Sequence, residues 1–268
     1  MRSGDGGVAS GSGGGVSLCV PMQPFHLQNA PIIEAMIELV VEPPEGEVAP
    51  RLAALRAELH AAFPIERERH QWQVEFALGE DVPLTASTVQ QRPLGYLFFS
   101  EVQDRAVQVS PERFAYSQLR SYSCWETLSE EASASWALFT RTLAPRRVKG
   151  VVLRFINRLE LPLGGTPPGD YLRLFPNVPE GLPQIAQSTM QVVMHDPTSG
   201  AVAFVTQTVT PTPETEGVFA VGLDVQVRAE VDLAVDDPAL WQKLDSLRPL
   251  KNQIFFASVT ERALERYR

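Results

Sequence analysis

The stretch Phe219-Ala220-Val221-Gly222-Leu223-Asp224-Val225-Gln226-Val227-Arg228-Ala229-Glu230-Val231-Asp232-Leu233 alternates without a break. Phe219, Val221, Leu223, Val225, Val227, Ala229, Val231 and Leu233 share one side, and Asp224, Gln226, Arg228, Glu230 and Asp232 share the other. A period of two is the signature of a β-strand, and an apolar side backed by a charged one describes a sheet covered on a single face.

The same period recurs in Ile33, Ala35, Ile37, Leu39 and Val41 against Glu34, Glu38 and Glu42. Further strands are predicted over 148–161, over 190–194 with 201–209 around the turn residues Asp196-Pro197-Thr198-Ser199-Gly200, and through Trp72, Val74, Phe76 and Leu78. Residues 96–102 and 105–109 read as a hairpin turning near Gln103-Asp104.

Between the strands the period changes. Val48, Leu52, Leu55, Leu59 and Phe63 recur at helical steps, and Pro64 closes that stripe. Ser123 and Glu126 have capping-box spacing beside Trp125, Leu128, Trp136, Phe139 and Leu143, and Pro145 ends the helix. Asp237 before Pro238 reads as a cap for the stripe Leu240, Leu244 and Leu247; Arg248-Pro249 predicts a bend before a last helix through Leu264.

Strands joined by hairpins rather than by helical crossovers give an α+β fold, an antiparallel β-sheet with helices packed on one face. The order of elements predicts a single α+β domain over 25–268 with two loosely similar halves, 25–145 and 146–268, behind a flexible Gly/Ser-rich tail over 1–24. The Pro- and Gly-rich passage over 162–183 reads as a long loop or lid.

With 44% hydrophobic residues, the 268-residue chain carries enough apolar content for a sizeable core. Its net charge of −9, from 32 acids and 23 bases, opposes an electrostatic grip on nucleic acid or an anionic membrane. No apolar run approaches the roughly 20 residues of a membrane span. Cys19 and Cys124 lie far apart, so neither a disulfide framework nor a thiolate metal site is expected, and a cytoplasmic location follows.

Three stretches resemble a sporadically distributed bacterial family of about this length that is defined by sequence. They are Asn29-Ala30-Pro31-Ile32-Ile33-Glu34-Ala35, Leu153-Arg154-Phe155-Ile156-Asn157-Arg158-Leu159-Glu160-Leu161-Pro162, and Leu250-Lys251-Asn252-Gln253-Ile254-Phe255-Phe256-Ala257-Ser258-Val259-Thr260. The likeness spans nearly everything from Phe25 onward and brings no catalytic residues. The family's scattered distribution implies a gene moved with its neighbours, in a defence or mobile gene cluster.

Catalytic motifs are missing from the sequence: it has neither Gly-x-Ser-x-Gly nor a phosphate loop ending in Gly-Lys-Ser/Thr. No pair among His26, His60, His70 and His195 is one helical turn apart, so no metal centre is expected. Asn157 falls on an apolar strand side, where its amide needs partners. Arg154, Arg158 and Glu160 lie opposite and, with Asp224, Arg228 and Glu230, predict a solvated charge ladder. Lys251 and Asn252 are expected to cap the bend after Pro249.

Arg154, Asn157, Arg158, Asp224, Arg228, Lys251 and Asn252 are therefore the candidates for contact with a ligand or partner, with no catalytic residue, metal or cofactor assigned. The expected function is non-enzymatic binding or assembly, engaging a small ligand, a protein partner encoded nearby, or further copies in a homo-oligomer. The alternative is a hydrolase using Glu34, Asp224 and Glu230 with Arg154 or Arg158. Nucleic-acid binding would require Arg146, Arg147, Lys149, Arg154 and Arg158 on one surface.

Overall fold

The computed structural model describes residues 27–71, 92–120, 122–162, 166–176, 178–179, 181–183, 185–212 and 217–268. The tail read over 1–24 and the strand read through Trp72, Val74, Phe76 and Leu78 lie outside the described residues. In chain order the elements are β1 (Ile32–Glu42), α1 (Ala49–Ala62), β2 (Ile65–Gln71), β3 (Arg92–Phe99), β4 (Arg105–Ser110), β5 (Arg113–Gln118) and α2 (Trp125–Leu143). Then come β6 (Arg147–Pro162), β7 (Ser188–His195), β8 (Val202–Pro211), β9 (Val218–Leu233), α3 (Ala239–Ser258) and α4 (Glu261–Leu264).

The strands form one 9-stranded antiparallel sheet in the order β2-β3-β4-β5-β1-β6-β9-β8-β7. Helices cover one face: α2 packs on β5 and β1, α3 on β9 and β6, and α1 leans on α2 and β3. This is the α+β arrangement predicted from the alternating strands. Ala35, Ile37, Leu39, Phe114, Leu153, Phe155, Leu223 and Val225 join Leu55, Leu128, Trp136, Phe139, Leu240 and Leu244 in one core. Phe114 is a hub of it, with ring centroids 5.5 Å from Trp136 and 5.3 Å from Phe139.

The sheet divides at the β1–β6 pair. After β1 the chain makes α1 and then the meander β2–β5, whose last strand returns beside β1 before α2 crosses the face. After β6 it makes a loop and the meander β7–β9, whose last strand returns beside β6 before α3 crosses the same face.

Several local expectations are corrected. Strand β5 has no counterpart in the sequence reading, because Phe114 to Gln118 are all buried and alternation in polarity is blurred there. The capping box does not form: the N-cap is Cys124, so Ser123 lies one residue too early and Glu126 falls in the first turn. No helix break follows Arg248. Helix α3 continues unbroken through Pro249 to Ser258, its missing N–H outweighed by the buried stripe Leu240, Leu244, Leu247, Ile254 and Ser258 on both sides of it. Asp237 does cap the helix, its Oδ1 accepting the Ala239 N–H at 2.9 Å. The first part of the 162–183 passage is pinned, not a free lid: Leu172 bridges to Val259, the Arg173 N–H donates to the Ser258 carbonyl at 2.9 Å, and Tyr171 and Leu172 are buried.

Truncating Phe114 to Ala removes a fully buried ring between sheet and α2 and should cost about 3–5 kcal/mol, whereas Val193→Ala on β7 should stay within about 0.5 kcal/mol. Urea denaturation of the two variants measures both.

Candidate functional site

Strand β6 sorts the candidate residues onto opposite faces. Arg154 and Arg158 alternate with Phe155, Asn157 and Leu159, so the first pair point away from the helices and the rest toward them. The neighbouring strands extend each face. Arg154 lies opposite Met36 of β1 and Gln226 of β9, while Val152 lies between Glu38 and Arg228. Asp224 shares a row with Ile156 and Glu34.

At the centre of the helix-free face the Arg154 guanidinium grips both Asp224 oxygens, with Nε at 2.9 and 3.1 Å and Nη2 at 2.6 Å from them. The pair bonds diagonally from β6 to β9. Its hydrogen bonds to Asp224, followed by the nearby charges of Glu34 and Glu38, raise the Arg154 pKa further against the effect of burial. Ser117 of β5 donates to Glu34 at 2.8 Å, and Arg113 pairs with Glu38. Arg228 lies over the Phe204 ring of β8 at 4.5 Å. Arg158 stays exposed, 4.0 Å from Glu160. Met36, Val152, Ala106 and Ala115 are buried on this face although they do not belong to the helix-side core. Leu97, Phe99 and Val202 add half-buried apolar surface toward its two ends.

On the helix side Asn157 is buried and donates through Nδ2 to the carbonyls of Leu223 at 3.1 Å and Phe155 at 3.4 Å. It sits where the β1–β6 register shifts between Ile32 and Glu34, so the amide clamps strands at an irregular point. Lys251 and Asn252 are mid-helix residues of α3, not caps of a bend. Lys251 occupies the core stripe between Leu247 and Ile254, its ammonium 3.8 Å from the centroid of Phe155, onto whose ring Tyr122 also packs edge-on at 5.3 Å. Burial first, and then the charge of Arg248, pull the Lys251 pKa down to about 7. Burial likewise pushes the Tyr122 phenol up to about 12. Asn252 is half-buried.

The three stretches that carry the family resemblance meet here. Arg158 donates its N–H to the Pro31 carbonyl at 2.8 Å, Ile32 pairs with Asn157, and Lys251 rests on Phe155. Tyr122 and Ser117 carry no sequence signal of their role, Ser117 because the buried β5 shows no alternation in polarity. Another network is also new: Glu131 of α2 accepts from Tyr116 and from Gln118 at 2.7 Å each, and burial together with Glu131 raises the Tyr116 pKa. Gln118 Oε1 is buried without a partner. A cleft of about 660 Å³ between α2 and α3 is lined by Trp125, Glu130, Trp241, Asp245 and Arg248. There the Trp125 Nε1 donates to Asp245 at 2.7 Å.

The ladder arrangement limits the chemistry. Both Asp224 oxygens are taken by Arg154, and Glu34 lies two strands away in the same row, roughly 10 Å by strand spacing. The cations that nucleic-acid binding would need are turned to carboxylates: Arg146 to Glu42 at 3.2 Å, Arg147 to Asp232, and Lys149 to Asp232 at 2.9 Å. Among the described residues no cluster of His, Cys, Asp and Glu could hold a metal ion, and no helix is long and apolar enough to cross a membrane. No family model matches the chain, and no curated protein matches it.

Replacing Asp224 by Asn strands the half-buried Arg154 and should cost about 1–2 kcal/mol, between the values of exposed and buried ion pairs; the double change Arg154→Met with Asp224→Leu should restore most of that loss in chemical denaturation. Lys251 titrates with the opposite sign from a lysine gaining an anionic partner. Its folded pKa of about 7 lies below the usual 10.5, so the unfolded chain binds its proton more readily between those values and the lysine's penalty on folding shrinks as pH rises through that window. Lys251→Met should therefore raise the melting temperature most at pH 7 and below, with the gain fading as pH rises above about 7 and gone by about pH 10.5. Thermal melts of the two proteins across this range measure the difference.

Proposed function

We propose that the protein is a non-enzymatic binding or assembly protein whose helix-free sheet face docks a protein partner. The observation that carries this reading is the two-pronged Arg154–Asp224 pair at the centre of the face. A carboxylate working as general acid, base or nucleophile needs an oxygen free for the reacting group, and both Asp224 oxygens are occupied. Paired charges interspersed with apolar side chains, here Phe204, Val202, Leu97 and Phe99, have the composition of protein interfaces. Arg158 and Arg228 flank the central pair and remain exposed to meet a partner's carboxylates. The resemblance to a sporadically distributed bacterial family adds the source: the partner is the product of a neighbouring gene in a defence or mobile cluster.

The tagged full-length chain, co-expressed with each adjacent gene product, should retain one of them. Arg158→Glu with Arg228→Glu should weaken that capture at least about tenfold, while Glu130→Lys in the cleft between α2 and α3 leaves it intact. Capture insensitive to the arginine changes but lost with Glu130→Lys would move the docking site to the helices, and retention of no neighbour would remove the proposal.

A further inference from the structure

The two edges of the sheet are built differently. At one end β2 carries Glu66, Arg67, Glu68 and Arg69, and its pairing with β3 is interrupted by a register shift between Arg69 and His70. Charges and bulges on an edge strand discourage other strands from adding to it. At the other end β7, Ser188-Thr189-Met190-Gln191-Val192-Val193-Met194-His195, has no Asp, Glu, Lys, Arg or Pro and pairs with β8 through every residue without a shift. Among the described residues its outer backbone groups have no strand partner in the sheet order. Among the described residues the exposed large hydrophobics are Val102, Val178, Leu182 and Val193; the last three lie on β7 or on the segment leading into it.

From these features we infer that β7 is a homodimerisation edge, pairing antiparallel with β7 of a second copy about a two-fold axis normal to the sheet. A two-fold interface demands that one surface complement itself. In antiparallel pairing, residues opposite each other share a face, so the axis must pass through a residue of the strand. With the axis at Val192, the helix-side stripe Met190, Val192 and Met194 reads the same in both directions. Met190 meets the partner copy's Met194, and Val192 meets itself. On the helix-free face Gln191 meets Val193 and Thr189 meets His195. Axes at Gln191 or Val193 lack this symmetry, since the first sets Met194 against Ser188 and the second sets Met190 against Asp196.

Charge favours the same occupant. The chain carries a net charge of −9, which disfavours association of two copies in general, but residues 185–195 hold no acid or formal cation. The dimer forms at the edge where like-charge repulsion is least. Because the axis is normal to the sheet, both helix layers stay on one side and the helix-free faces become continuous. This pairing stands whether or not that face docks a partner.

Sedimentation or light scattering of the full-length chain over roughly 1–100 µM should show the mass rising from one copy to two. Val193→Lys, at an exposed position, should shift the midpoint of that rise upward at least about tenfold with the circular dichroism spectrum unchanged; Thr189→Lys serves if the first variant unfolds. In a chain with Cys19 and Cys124 changed to Ser, Val192→Cys should form a disulfide-linked dimer with its own copy under mild oxidation, and Val102→Cys should not. A monomer throughout the range, a dimer indifferent to both lysine changes, or a dimer that Val192→Cys fails to cross-link would overturn the inference. Partner capture by Arg158 and Arg228 can succeed with a monomer, so the two proposals fail separately.

Discussion

Strand β6 is paired with β9 along nearly its whole length and with β1 from Arg147 to Asn157, and that ladder decides which side chains enter the core and which face away from the helices. A slip of one residue would exchange Leu153 and Phe155 for Arg154 and Ile156 beneath α3, burying a guanidinium among aliphatic groups. The register is therefore held by hydrophobic burial as much as by hydrogen bonds. Asn157 reinforces it where β1 is irregular, its amide tied to the Leu223 carbonyl across the strand boundary.

Long segments with one buried face were legible from their alternation. Residues 219–233 and 148–161 lie within β9 and β6, and the Asp196–Gly200 turn joins β7 to β8 as its Asx chemistry suggests, with Asp196 accepting the Thr198 and Ser199 N–H groups at 3.1 Å. Strand β5 escaped because it is buried on both sides and only six residues long. The continuity of α3 escaped for another reason: the local penalty of Pro249 is readable in sequence, but the tertiary burial that outweighs it is not. Which arginine meets which carboxylate was also out of reach. That Arg154 grips Asp224 depends on the β6–β9 register, which sets Arg154 opposite Gln226 and Ile156 opposite Asp224.

Charge is handled differently on the two sides of the sheet. On the helix-free face cations and anions meet across strands in a largely solvated setting, where each pair adds little stability but fixes side-chain positions. On the helix side Lys251 enters a core stripe, with the Phe155 ring against its ammonium and Arg248 as the charge acting on it. A ring quadrupole offsets only part of the desolvation cost of a cation. Leucine or methionine would pack at that position without the desolvation cost of an ammonium, so packing alone does not explain the lysine.

The contrast between the sheet edges follows from the way each side of the β1–β6 pair is assembled. After β1 the chain uses α1 and β2 before it reaches β3, and β2 brings charge and irregularity to the rim. After β6 the equivalent stretch carries the Pro168–Asp170 turn and the bridge from Leu172 to Val259, with no strand among its described residues, so β7 itself becomes the rim. Among the described residues, the position that β2 fills next to β3 has no occupant next to β7. An edge strand without charge, proline or bulge is a liability to a protein that must stay single, and β7 has none of those guards. Its apolar stripe, symmetric about Val192, is the feature that turns this open position toward a second copy rather than toward indiscriminate strand addition.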